Sequence, residues 1–152
     1  MARAARCLLA CIALAVAGCG SGEDSTPAAC LTGAAAFQSA LRVAPGDVEL
    51  VDGVQISECL IPGQPAGELS EAGGAMVGAA EGLAAGARRR PAGPMAVRLG
   101  YLVGAAERGA AETGGVHADL LRRLGSVAET GAPPLSSTPG YRRGLETGRE
   151  GG

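Results

Sequence analysis

Glycine recurs at every fourth position, Gly74, Gly78, Gly82 and Gly86, through a stretch whose apolar residues Leu69, Ala72, Met76, Ala80, Leu83 and Ala87 advance by threes and fours. The apolar steps are those of a helix over 68–90, and the glycines then fall in one row along it. Four such glycines destabilise an isolated helix by about 4 kcal/mol relative to alanine. A row without side chains is also a groove into which a second helix can settle closely, the steric idea behind small-xxx-small packing. The next periodic stretch, 95–112, repeats the spacing at Gly100 and Gly104 and has Val97, Tyr101, Leu102 and Ala105 as its apolar side. Pro94 suits its first turn, and the short link through Pro91 predicts an antiparallel hairpin whose two backbones lie close together.

Composition offers a rival account of the glycines. They number 26, and all 13 basic residues are arginine, the bias of GC-rich codons, under which glycine accumulates without a structural task. Hydrophobic residues make up 47% of the chain and aromatic ones only 2%, so the core must be built from small side chains. Each buries little area, at about 25 cal/mol per Å², and close backbone approach is the way so lean a chain can compensate.

The remaining elements complete a mainly α fold, a small helical bundle or set of helical hairpins with one disulfide. Thr32 is placed to cap a short helix over 34–42 that carries Phe37, Ala40 and Leu41 on one side. Over 48–61 the period switches to two, with Val48, Leu50, Val54 and Ile56 around Asp52-Gly53, which fits a short β-hairpin. A fourth helix, 116–129, gathers Val116, Leu120, Leu121, Leu124, Val127 and Ala128 on one arc, with Asp119 four residues before Arg123 and Gly131 just past its end. After it come Pro133-Pro134 and a Ser, Thr, Pro and Gly-rich end, 132–152, expected to be disordered apart from one turn at Thr138-Pro139 that brings Tyr141 and Leu145 together.

The amino terminus has a separate purpose. Arg3 and Arg6 precede an uninterrupted apolar run from Cys7 to Ala17. That run of 11 residues covers about 16 Å as a helix, roughly half a bilayer core, which suits a secretory signal and not a permanent span. The sequence Val16-Ala17-Gly18-Cys19 resembles the lipobox of bacterial lipoproteins. The resemblance covers only the first 19 residues. It implies cleavage before Cys19, a diacylglyceryl group such as one carrying palmitate on the Cys19 sulfur, and a location on the extracytoplasmic face of the cell membrane. The expected organisation is a signal peptide over 1–18, a lipid-anchored flexible tether over 19–29, and a helical domain over 30–131. Two acyl chains hold firmly, since each buried methylene contributes about 0.8 kcal/mol.

Processing leaves Cys30 and Cys59 as the remaining thiols, and outside the cytoplasm two such thiols should pair. The loop they close predicts about 3.5 kcal/mol of stabilisation. Other chemistry is scarce. His117 is the only histidine, it falls on the apolar arc of the fourth helix, and no Gly-x-Ser-x-Gly elbow or lysine-ended phosphate loop is present. Glu81 and Glu107 are the carboxylates that neighbouring helices could pair, with nothing to select them. No catalytic residue, cofactor or metal site is therefore expected. The mature net charge of about −4 and the scarcity of aromatics exclude a nucleic-acid surface. Arg88, Arg89 and Arg90 complement the helix dipole at the end of 68–90, a structural task favoured over headgroup binding because lipid-binding clusters hold about 4–8 cations. The expectation is a non-catalytic binding or structural module of the cell envelope with the membrane and an envelope protein as partners. A small-ligand binder ranks next and an unrecognised enzyme last.

Overall fold

The computed structural model describes residues 25–152. Its helices are α1 (Ala34–Ala40), α2 (Ala66–Arg89), α3 (Pro94–Ala110), α4 (Ala118–Glu129) and α5 (Pro139–Gly151), linked by short 3-10 turns, with no strand among the described residues. The mainly α architecture read from the sequence is the one found. Helix α3 turns back from α2 over a short link. Helix α4 runs with α2, because Leu120 packs over Gly73 near one end while Arg88 reaches the Val127 carbonyl near the other. Helix α5 runs with α3, since Gly144 lies on Val97 and Gly148 on Tyr101. Directions thus alternate through four helices, and α3 occupies the middle, buried without a break from Leu99 to Ala106.

The glycine rows do not meet each other. Gly100 and Gly104 of α3 lie against α5, where a methyl on Gly100 would sit 2.8 Å from the Leu145 amide nitrogen and one on Gly104 2.9 Å from that of Arg149. Helix α5 answers with Gly144 and Gly148, whose added methyls would stand 2.8 Å from Tyr101 N and 2.9 Å from Ala105 N. These are backbone-to-backbone contacts, and no rotamer can relieve them. On α2 the row faces side chains instead: Gly78 meets the Ala34 methyl, Gly82 the Gln38 amide and Gly86 the Met95 side chain, while Gly74 faces open space. The antiparallel α2–α3 pair exists, but its expected glycine-to-glycine seam is replaced by α1 lying on α2 and α5 lying on α3.

The expected disorder over 132–152 is corrected by α5. Pro139 opens it, the Thr138 hydroxyl accepts the Tyr141 amide at 3.2 Å, and Tyr141, Gly144 and Gly148 are buried. Its few apolar side chains suffice because glycine lets the backbone itself make the contact. Both tyrosines of the chain belong to this region. Burial, its largest cause, raises the Tyr101 hydroxyl, and burial with Glu107 and Glu129 nearby pushes that of Tyr141 up to about 12.

Three local expectations also change. Thr32 does not cap α1; its hydroxyl donates back to the Ala29 carbonyl at 2.7 Å, closing the 3-10 turn Ala28–Leu31, and Gly33 precedes the helix. The 48–61 stretch turns at Asp52-Gly53 but forms a single antiparallel bridge, Glu49 to Gln55, before winding into the 3-10 turn Ile56–Cys59. That turn is fixed by the Cys30–Cys59 disulfide, whose Cα atoms are 5.5 Å apart and whose cysteines are fully buried. Asp119 pairs with Arg122 and not Arg123, and Val116 is 48% exposed because α4 begins only at Ala118.

Candidate functional site

The chain's single histidine begins α4. His117 stands at the residue before the first helical one, where the polypeptide enters the helix beside the start of α2, and it has no exposed surface. Its Nε2 is 2.7 Å from Gln64 Oε1. Gln64 in turn donates from Nε2 to the Thr26 hydroxyl at 2.7 Å and to the Cys59 carbonyl at 3.1 Å. A carbonyl only accepts, so the Gln64 amide must point its nitrogen there and its oxygen at His117, and the imidazole proton is thereby assigned to Nε2. Nδ1 is left buried as a bare lone pair with no partner among the described residues. Burial lowers the His117 pKa, which agrees with a neutral ring.

The same cluster secures the start of the described chain. The Thr26 amide donates to Glu68 Oε2 at 3.2 Å, and Thr26, Gln64 and His117 are all buried. The flexible tether expected to reach residue 29 is therefore docked from Thr26 onward, with Ala29 and Cys30 already in the core. A general base must lie within reach of a substrate proton, and His117 is sealed behind Gln64 with a disulfide, not a thiol, beyond it. What this arrangement does chemically is hold three chain segments together.

The other residues singled out by the sequence are dispersed. Cys19 lies outside the described residues, as does the signal layout around it. Cys30 and Cys59 are joined as expected. Glu107 bonds the Arg149 guanidinium at 2.5 Å across the α3–α5 contact, while Glu81 is exposed on α2. Among the described residues, no cluster of three or more His, Cys, Asp or Glu side chains could hold a metal, and no helix is long and apolar enough to cross a membrane. Arg88 has a structural role other than the one expected: it reaches across to the end of α4, donating to the Val127 carbonyl at 3.1 Å and approaching that of Thr130 at 3.4 Å. Arg89 and Arg90 do not share it.

Three surface depressions form a band along α1 and the α2–α3 turn. The first, about 490 Å³, lies between α1 and the 47–51 segment, with Val43 and Val51 60% and 65% exposed at its edge. It shares Ser39 with a second of about 280 Å³, which shares Met95 with a third of about 370 Å³. Sequence patterns gave no sign of this band. Nor did they single out Gln64, which sits in the Pro62-Gly63-Gln64-Pro65 break. Comparisons of the chain with protein-family models, curated protein sequences and solved structures find no match.

Proposed function

We propose that this is an exported lipoprotein, held by lipid on Cys19 at the extracytoplasmic face of the cell membrane, whose folded part is a non-catalytic binding or structural module of the envelope. The observation that carries the reading is the use made of the one histidine. His117, the residue best suited to act as a base near neutral pH, is withdrawn from solvent and committed to bonding Gln64 beneath the point where the chain enters the domain. The anchoring part rests on the lipobox. Thr26 is seven positions after Cys19, a span of at most about 25 Å, so the Thr26 end of the domain stays near the anchor and the arginine-rich end of α2 is carried about 36 Å away along the helix.

Two variants test this in cells where loss of the protein has a phenotype. Cys19→Ser is expected to abolish the lipid mass on the membrane-extracted protein and the function with it, while the domain stays folded. His117→Gln, which can still donate to Gln64 Oε1, is expected to complement. An unmodified Cys19 in wild-type protein would defeat the anchoring claim. A folded His117→Gln protein without function, with a bell-shaped pH dependence in the wild type, would show catalysis instead.

A further inference from the structure

Where α2 ends, its arginines part company. Arg88 is spent on the carbonyl end of α4, whereas Arg89 and Arg90 line the 370 Å³ depression together with Gly93, Pro94 and Met95 at the start of α3. On the other side of Met95, Arg42 and Arg98 line the 280 Å³ depression with Gln38 and Ser39. Four arginines thus line the two depressions that meet at Met95, and neither lining includes a carboxylate. The ion pairs among the described residues are Arg122 with Asp119 and Arg149 with Glu107, so none of these four has a counter-charge. This happens in a chain of net charge −2.

The gathering is built, not accidental crowding of loose ends. Arg98 Nη2 donates to the Arg42 carbonyl at 2.8 Å and Nη1 approaches Met95 Sδ at 3.7 Å, which fixes the guanidinium across the floor between α1 and α3. Its Nε is buried without an acceptor among the described residues, an arrangement that carries a desolvation penalty for a cation. Gly86 leaves room for Met95, since a methyl there would lie 3.0 Å from Met95 Cγ. The first turn of α3 adds the positive end of a 17-residue helix to the Arg89 and Arg90 side.

We propose that the two depressions joined at Met95 form one binding site for a phosphate-bearing ligand. A single carboxylate carries one charge and accepts one bidentate arginine well. A phosphate presents three or more oxygens and up to two charges, which suits arginines drawn from the turn after α1, the end of α2 and α3 at once. This goes beyond the module reading and does not depend on lipid at Cys19: the site would bind in protein whose anchor had been removed.

The experiment is calorimetric titration of the full chain in detergent with inorganic phosphate, pyrophosphate and succinate, alongside flotation with phosphatidylglycerol or phosphatidylcholine vesicles. Saturable binding of pyrophosphate is expected, weakened at least about tenfold in Arg89→Gln/Arg90→Gln, while Arg142→Gln/Arg143→Gln, an equal charge change on exposed α5 arginines, stays within about twofold. Binding of the free phosphates places the ligand in solution. Binding of phosphatidylglycerol vesicles alone, lost in the same variant, makes the source a lipid headgroup. No saturable binding to any phosphate probe overturns the site, equal losses in the two double variants reduce it to net charge, and succinate binding as tightly as pyrophosphate overturns the ligand class.

Discussion

The α1–α2 and α3–α5 contacts both use glycines four residues apart, and they use them differently. Against α2, what approaches is a side chain, the Ala34 methyl at Gly78 and the Gln38 amide at Gly82 from α1 and Met95 at Gly86 from α3, or nothing at all at Gly74. Against α3 it is a backbone, with carbonyls and amides of α5 where side chains would stand. A glycine spacing therefore states that a close contact is permitted. Only the partner decides whether it is made, and a movable side chain leaves a helix glycine with its propensity cost and little return.

Gly144→Leu is the severest test of that difference. The added side chain would run into the α3 backbone between Val97 and Tyr101, and since neither helix can yield locally the loss is expected to be about 4 kcal/mol or more. Urea unfolding would measure it, and a loss under about 1 kcal/mol would mean that α5 is not held as described. Reduction of Cys30–Cys59 comes next. It loosens the α1 side of the molecule, and the chain-entropy model for a separation of 29 residues gives about 3.5 kcal/mol, visible as a drop in Tm under reducing conditions.

Alkaline pH acts first on the α3–α5 contact, where Tyr141 is buried, and through Tyr101 on the Val48 backbone beside it. A folded-state value pushed up from 10 to about 12 means that Tyr141 stabilises the fold fully below pH 10, and that this contribution is lost as pH rises from 10 towards 12. The expected loss over that window is about 2–3 kcal/mol, and Tyr141→Phe should flatten it in pH-dependent unfolding curves. The smallest effect has the opposite sign. Gly74→Ala fills open space in the middle of α2, so it should stabilise by about 1 kcal/mol, and a destabilised variant would show that the α2 row has a partner after all.

Much of the frame was legible in the sequence: α2, α3 and α4 from their apolar period, the disulfide from the two cysteines beyond the expected signal and lipobox, and Pro94 as the start of α3. Helix α5 was not, for a physical reason. Between Gly140, Gly144, Gly148 and Gly152 its residues are mostly polar, with only Tyr141 and Leu145 as large apolar groups. Periodicity is read from side chains, and a helix that docks by its backbone has few to show. The 48–61 hairpin stopped at one bridge because the disulfide at Cys59 is met through a 3-10 turn, a constraint the alternation of Val48, Leu50, Val54 and Ile56 does not contain. The His117 cluster was half legible. Its histidine was placed among packed residues, but its partner Gln64 lies between a glycine and a proline, in a segment marked only as a break. The proposed arginine site escaped because it joins the turn after α1, the end of α2 and α3, and only Arg89 and Arg90 are neighbours in sequence.

The central position of α3 sets an order of events. Residues 139–151 leave the ribosome after everything they pack on, so the bare backbone strip at Gly100 and Gly104 has no cover while the earlier helices are being made. Until α5 arrives, the middle of the molecule is open along one side, and the core closes only with the last helix to be made.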